Sequence, residues 1–284
     1  MPPFASELNN KNHGFTLVEL IIVIVLLALT GLFVFNYLGF GAQIFRDTTE
    51  RDQLVSQSRF ALNRLTSELR NAVPRSVRVR AADNQRCLEF MPILASSQYV
   101  RMPRPGPPSV SNVPFTAIEP TSLTNLVGGY LLVYATTTQH IYGNSTQRRK
   151  EVTGISTPSN NLVEITYTPS TFFVTDSPVR RYYIGGDPVS WCYDEINHNL
   201  FRFAGYGRMN NQPTLADLKA SAATSAEVMA ENIYNDLNNS EFPFRVYEAT
   251  LYRNSLIQLD WRFRRANAQE PLEILHEVAI PNVP

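Results

Sequence analysis

The sequence predicts an α+β protein in which a long N-terminal helix is followed by a mainly antiparallel β-sheet head domain. An apolar run extends from Phe15 to Phe35 and contains a single charged residue, Glu19. Apolar residues then recur at three- and four-residue steps as far as Val73, which is the period of an amphipathic helix. Beyond Pro74, short β-branched and aromatic runs alternate with Pro, Gly, Asn and Asp, a pattern typical of strands and turns.

The apolar run is long enough to cross a bilayer as a helix. A carboxylate inside a membrane costs about 2.5 to 3.5 kcal/mol on insertion scales, so Glu19 is a candidate functional residue. Lys11 and His13 precede the run and no Lys or Arg follows it until Arg46, which predicts a cytoplasmic N-terminus and an exported remainder. Two alternatives stay open: a secretory signal, disfavoured because its small-residue site should follow the apolar core, and a plain membrane anchor whose acid reaches the interface.

The amphipathic half of the helix should end at Val73, because Pro74 disfavours helix in the residue before it and cannot extend the hydrogen-bond ladder. Three glycines between residues 31 and 41 each cost up to about 1 kcal/mol relative to alanine, so a kink or melted segment is expected near residues 36–41. The predicted parts are residues 15–35 as the membrane-spanning half, 36–73 as the amphipathic half and 74–284 as a β-rich globular head.

Strands are predicted throughout the head. Period-two alternation marks residues 76–80, 162–167 and 255–264 as strands with one face to bury. One internal helix is predicted at 222–237, with 214–220 a weaker candidate. Further β-branched or aromatic runs predict strands at 87–90, 129–135, 171–175, 179–184, 189–193, 200–203, 244–251 and 272–280, and proline density predicts a loop at 101–108.

Both cysteines, Cys87 and Cys192, lie in the part predicted to be exported, where a disulfide can persist. A disulfide between them would close a loop of roughly 100 residues, worth about 4 to 5 kcal/mol on the chain-entropy model. Two buried free thiols remain the alternative. The sequence has no C-x-x-C spacing, so no structural metal is expected.

Enzymatic chemistry is not predicted. The sequence lacks G-x-S-x-G, P-loop, H-E-x-x-H and Rossmann glycine patterns, and its four histidines are scattered, so we expect no catalytic residue, metal or cofactor. Residues 185–188 have turn composition. Residues 194–199 offer oxygen ligands but lack the glycine and closing glutamate of an EF-hand loop, so a hairpin turn is favoured over a calcium site.

Several arginines gather where the helix enters the head. The formal net charge is zero, and the arginines are not interleaved with aromatic residues in the way that favours stacking on bases. Because arginine tolerates protein interfaces well and pairs bidentately with carboxylates, protein partners are favoured over nucleic acid. These residues are Arg70, Arg75, Arg78, Arg80 and Arg86.

Residues 13–20, His-Gly-Phe-Thr-Leu-Val-Glu-Leu, resemble the signal of type IV pilins and pseudopilins. The resemblance implies that a membrane-embedded prepilin peptidase cuts between Gly14 and Phe15, removes residues 1–14 as a leader and methylates the new N-terminal residue, Phe15. It also implies that Glu19 pairs with the N-terminal amine of a neighbouring subunit and sets register during assembly. An opposite charge in a low-dielectric environment would offset much of the carboxylate's desolvation.

Longer segments make the resemblance more specific than the N-terminal signal alone. Residues 43–74, 87–93 and 188–192 resemble the MshO-type minor pilins of the MSHA (mannose-sensitive haemagglutinin) pilus, including that family's two cysteine strands. The helix followed by proline and a strand is also similar to the J-type minor pseudopilin of type II secretion, and the PilW and GspJ types are related. The resemblance therefore implies the type IV pilin-like fold. One departure is Asn36, which stands where many major pilins have proline.

The resemblance implies assembly rather than catalysis. The chain is expected in the bacterial inner membrane with a periplasmic head, and then in an extracellular pilus, in a priming or tip complex for assembly and adhesion. Its implied partners are other minor and major pilins, prepilin peptidase and the inner-membrane assembly platform. The alternatives are a minor pseudopilin of type II secretion and a glycan-binding tip adhesin using Tyr182, Tyr183 and Trp191, although core packing is favoured for these aromatics because they lie in predicted strands.

Overall fold

The computed structural model describes residues 16–82, 84–105, 114–222, 224–248, 254–264 and 271–281. The chain divides into two compact units, Met1–Gln53 and Leu54–Pro284. A long apolar helix is followed by antiparallel β-sheets, so the predicted α+β, pilin-like class is confirmed.

Helix α1 spans Leu17–Arg70 without interruption. Residues 36–41 are helical, so the prediction of a melted segment there is wrong. A cost of about 1 kcal/mol for each glycine is too small to break a long helix. The helix ends three residues before the predicted Val73. The reason is that the next residues pair with a neighbouring segment: the Val73 amide donates to the Met91 carbonyl at 2.8 Å, and Ala72 forms an antiparallel bridge with Pro92.

The rest of the described chain is mainly strands. Along the chain the elements are β1 Arg78–Ala82, β2 Gln85–Phe90, β3 Ile93–Arg101, β4 Phe115–Ile118, β5 Tyr130–Val133, α2 Thr138–Tyr142, β6 Arg149–Ile155, β7 Leu162–Thr168, β8 Arg181–Gly185, β9 Val189–Asp194, β10 Asn199–Ala204, α3 Leu215–Ala220, β11 Ser225–Ala230, β12 Phe244–Tyr247, β13 Ser255–Phe263 and β14 Leu272–Ile280.

These strands form three antiparallel groups. One sheet has the order β1-β2-β9-β10-β11, a second has the order β12-β13-β14, and the strands β3-β4-β7-β6-β5-β8 close into a six-stranded barrel. All the barrel strands lie in sequence between β2 and β9, which pair directly, with Phe90 opposite Val189. The barrel is therefore inserted between two adjacent strands of the first sheet.

The predicted helix at 222–237 is wrong. Residues Ser225–Ala230 form β11, which pairs with β10; sheet pairing outweighs the high helix propensity of its Glu, Met and Ala residues, because tertiary context readily overrides propensity. The weaker candidate at 214–220 is the helix α3, where Thr214 and Asp217 form a capping box.

The strand predicted at 171–175 is also wrong, because this segment is irregular. Phe173 within it is fully buried and its amide donates to the Pro103 carbonyl at 2.9 Å. Burial of a loop residue therefore explains Phe173, whereas its neighbours Phe172 and Val174 are 43% and 42% exposed. The strands β3, β4 and β6 and the helix α2 are further elements that the sequence did not predict.

Two main cores account for most buried apolar residues. The C-terminal part of α1 packs Ala61, Leu65 and Leu69, each fully buried, in one cluster with Trp191 and Trp261. The barrel has its own core, which contains no residue of α1 among the residues that the structure describes. At its centre the Phe115 ring lies 5.5 to 6.5 Å from four other aromatic rings, those of Tyr99, Tyr167, Phe173 and Tyr182.

Candidate assembly site

The N-terminal unit presents an apolar helix surface. An 18-residue window of α1 has a mean hydropathy of 3.0 and none of it is buried, so by length and composition the helix can cross a membrane. Phe33 and Phe35 are 74% and 80% exposed. Apolar surface on this scale needs lipid or other apolar helices around it.

Glu19 lies in the first turn of α1. Its amide donates to the Thr16 hydroxyl at 3.3 Å, and an acid in the first turn interacts favourably with the helix dipole. Among the residues that the structure describes, no basic side chain forms a salt bridge with Glu19. The predicted cleavage and methylation positions, Gly14 and Phe15, lie outside the described residues.

Glu68 attaches the C-terminal part of α1 to the five-stranded sheet. Its carboxylate accepts hydrogen bonds from Trp191 Nε1 at 3.0 Å, from Arg202 Nε at 2.9 Å and from Arg64 Nε at 2.7 Å. The Glu68 side chain is only 16% exposed. Glu68 was not identified in the sequence analysis, because its partners on the sheet lie 123 and 134 residues away in the chain.

Replacing Glu68 with alanine should lower the free energy of unfolding by about 2 to 4 kcal/mol, because Trp191 Nε1 and Arg202 would lose a charged acceptor in a mostly buried place. Urea unfolding of the detergent-solubilised chain, followed by tryptophan fluorescence, would measure the loss. Arg64→Ala is the matched control, since Arg64 is 50% exposed and exposed pairs contribute at most about 1 kcal/mol. Equal losses in the two variants would contradict the assigned role.

A disulfide joins Cys87 on β2 to Cys192 on β9, residues that lie directly opposite each other. Both are buried, in one cluster with Phe203 and Leu218. Trp191, the neighbour of Cys192, belongs to the core cluster that contains the α1 residues. The covalent link therefore fixes the register of the two strands that support Trp191 beneath the helix.

A second polar cluster is centred on Glu89, which is completely buried on β2. Its carboxylate forms a salt bridge with Arg78 and accepts a hydrogen bond from the Tyr206 hydroxyl at 3.0 Å. Burial raises the pKa of Glu89, and the hydrogen bonds and charge of its partners only partly offset that rise. The Arg78 guanidinium also stacks over the Tyr142 ring at 3.7 Å, which ties the first sheet to α2.

Three of the five clustered arginines are used inside the domain. Arg78 pairs with Glu89, Arg80 donates to the Gln212 carbonyl, and Arg86 donates to the Phe244 carbonyl at 2.8 Å. These contacts hold the three guanidinium groups against other segments of the same domain.

The remaining candidate residues are either buried in the domain or part of a hairpin. Tyr182, Tyr183 and Trp191 are buried, so the expectation of core packing is confirmed and these rings offer no face to a glycan. Asp194 lies at the hairpin between β9 and β10, the turn that the sequence analysis favoured over a calcium site. Its carboxylate accepts a hydrogen bond from Lys219 Nζ at 2.8 Å. Within the described ranges, no three His, Cys, Asp or Glu side chains converge as a metal site would require.

Residues 9–35 match the family model of the prokaryotic N-terminal methylation motif. The match includes the predicted cleavage position and Glu19. No curated protein and no solved structure matches this chain. The motif, the membrane-capable helix and the antiparallel β domain together support a type IV pilin-like subunit, a structural component that fits inner-membrane anchoring through its N-terminal helix.

Proposed function

We propose that this chain is a minor pilin of an MSHA-type type IV pilus, incorporated in a priming or tip complex that supports pilus assembly and surface adhesion. The observation that carries the proposal is the methylation motif at residues 9–35 at the start of a 54-residue helix whose C-terminal part is built into a β-rich head. Such a helix can leave the bilayer only when other apolar helices replace the lipid around it, and a helical pilus core provides them.

The segments that resemble MshO-type minor pilins support this choice. Beyond Gln53 they correspond to the C-terminal part of α1, to β2 and to β9. These elements are joined by the disulfide and by the Glu68–Trp191 hydrogen bond. The resemblance therefore falls on one connected part of the domain, the part that attaches the helix to the head.

Processing is proposed to remove residues 1–14 and to methylate Phe15, which makes Glu19 the fifth residue of the mature chain. We infer that Glu19 pairs with the N-terminal amine of an adjacent subunit, because in an apolar core an uncompensated carboxylate is strongly disfavoured.

The direct test of processing is intact mass and N-terminal sequencing of the chain from cells with and without prepilin peptidase. A peptidase-dependent product that starts at N-methylated Phe15 is expected. A chain that still begins at Met1 in cells with active peptidase would refute the pilin proposal and leave a membrane-anchored β domain.

The variant Glu19→Ala should be cleaved normally but should reach the sheared pilus fraction at least about tenfold less than wild type, since a lost pair worth 1.4 kcal/mol already gives a tenfold change. Immunoblots of membrane and pilus fractions would measure both steps. Asp52→Ala is the control, because it removes an exposed acid of the same helix outside the apolar run. Normal incorporation of Glu19→Ala would refute the register role.

A minor pseudopilin of a type II secretion system is the second candidate, favoured by the succession of α1, a proline turn and β1. Deleting the gene would separate the two: loss of surface pili supports the first proposal, and loss of exoprotein secretion supports the second. A tip adhesin that binds glycans is the alternative of another class, and a glycan array probed with the full chain would test it.

A further inference from the structure

Strand β14 forms a long, free sheet edge. It pairs with β13 over nine consecutive residues, Leu272–Ile280, without a register shift. Among the described residues, its backbone forms no hydrogen bond or bridge to any other segment. A row of unpaired amide and carbonyl groups of this length is a template for another strand.

Native proteins usually protect such edges with charged side chains, especially lysine, or with proline, bulges, short strands or covering segments. The other described strands follow that rule: six close into a barrel, β12 has four residues, β1 has five residues that include two arginines, and the β10–β11 pairing has a register shift. Strand β14 contains no lysine, proline or glycine and no bulge, and its only edge charges are the two acids Glu273 and Glu277. Among the described strands, it is the long edge left open to a strand that can neutralise these acids.

The side chains of β14 indicate what would pair with it. On its outer face Leu275 is 65% exposed, between Glu273 and Glu277. On its inner face Leu272 and Ile274 are only partly buried against the core that contains α1 residues. An added strand would cover Leu275 and complete the cover of these two inner residues.

We propose that β14 accepts a strand from the head of a different pilin-type subunit, one that carries basic side chains on its outer face. The proposal rests on the proposed pilin function. Glu277 has no salt bridge within the described part of the chain, and Glu273 only reaches Arg262 Nε at 3.9 Å, so both acids are available to lysine or arginine across the strands. Opposite charges facing each other across paired strands stabilise a sheet.

A second copy of this chain is a poorer occupant. The antiparallel arrangement that brings two exposed Leu275 side chains together places Glu273 of each copy against Glu277 of the other. Like charges directly opposite are destabilising. Charge therefore favours a basic strand from a different subunit.

The test uses the full-length chain in its own cells, with a photo-crosslinking amino acid at position 275 or, as control, at position 228. Val228 is a matched site, because it is 52% exposed on the edge strand β11. Position 275 should yield an adduct with a protein that carries its own prepilin methylation motif, joined through a strand containing Lys or Arg. Position 228 should yield at least about tenfold less of it.

Substitutions test the same contact. Leu275→Lys and Glu277→Lys should each lower incorporation into the pilus fraction at least about fivefold, while Val228→Lys should stay within about twofold of wild type; a tenfold change corresponds to 1.4 kcal/mol. Both β14 side chains point away from the core, and a formed disulfide with protease resistance verifies folding. Acidic substitutions at the crosslinked basic residues of the partner should restore incorporation of Glu277→Lys.

Three results would overturn the edge-pairing proposal: an adduct between two copies of this chain, an adduct at position 275 only with non-pilin proteins, or folded Leu275→Lys incorporated as well as Val228→Lys. Each result is measured on chains that start at Phe15, so it can refute the edge contact without refuting the proposed pilin function. A chain that retains residues 1–14 instead refutes the proposed function, and the edge proposal that rests on it is overturned with it.

Discussion

The variant Arg78→Met should lower the free energy of unfolding by about 3 to 5 kcal/mol at neutral pH, the usual cost of leaving one charge of a buried pair without its partner. Glu89 is completely buried, and Arg78 is its only salt-bridge partner among the described residues. The Tyr206 hydroxyl would remain as a neutral donor at 3.0 Å, which cannot balance a full negative charge. Methionine keeps most of the apolar stem of arginine but also removes the guanidinium's hydrogen bonds to the Asn210 and Met209 carbonyls and its stacking on Tyr142, so the pH dependence of the loss isolates the part due to charge.

The loss of unfolding free energy in Arg78→Met should depend on pH. Burial raises the folded-state pKa of Glu89 above its ordinary value, and removal of Arg78 raises it further. Below the unfolded-state pKa of about 4.3 both states are protonated, so stability is fully present. As pH rises through the raised folded-state pKa, the unfolded state ionises more readily and that stability is lost. The deficit of Arg78→Met relative to wild type should therefore shrink toward acid pH.

Urea unfolding of both chains at several pH values between about 4.5 and 8 would measure the difference, with Arg104→Met as the control. Arg104 also pairs with a carboxylate, that of Asp176 at 2.7 Å, but the two side chains are 62% and 45% exposed. Exposed pairs contribute at most about 1 kcal/mol. A deficit for Arg78→Met that stays constant with pH would contradict ionisation of Glu89 as its cause.

Removing the disulfide should have a comparable effect. Cys87 and Cys192 are 105 residues apart in the chain, and the chain-entropy model gives about 4 to 5 kcal/mol for a loop of this size. The double variant Cys87→Ala/Cys192→Ala should therefore unfold at much lower urea concentration. Because the linked strands support Trp191 beneath α1, less of the variant should reach the pilus fraction.

A reductant provides the matched comparison for the disulfide. Incubation with dithiothreitol in moderate urea should lower the unfolding midpoint of the wild-type chain toward that of the double variant, and should leave the double variant unchanged. Both sulfurs are buried, so reduction without urea should be slow. An unfolding midpoint of the wild type that reduction does not move would contradict a stabilising role for the bond.

The sequence predicted those elements whose pattern is local. The apolar run and the three- and four-residue steps of α1, and the alternation in β13, each need only neighbouring residues to be recognised. Strand β11 was missed because its Glu, Met and Ala residues favour helix locally, whereas its conformation is decided by pairing with β10. The prediction of a strand at 171–175 was wrong for a different reason. Phe173 packs in the core of the barrel although its segment belongs to no strand.

The residues of the candidate site also include some that the sequence indicates and some that it does not. The N-terminal signal and Glu19 stand in a short motif, so the sequence indicates them directly. Glu68 and Glu89 look like ordinary solvent-facing positions, and only the folded chain brings Trp191 and Tyr206 to them across 123 and 117 residues. A buried acid of this kind has no local sequence signal, because its partners are set by tertiary packing.

The place of the barrel in the chain has a consequence for how such subunits diversify. Because its first and last strands connect to adjacent strands of one sheet, at Phe90 and Val189, its two ends enter and leave the sheet side by side. Its core shares no described residue with α1. The sequence of the barrel core can therefore change without replacing any residue of the cluster that contains Leu65 and Leu69 of α1.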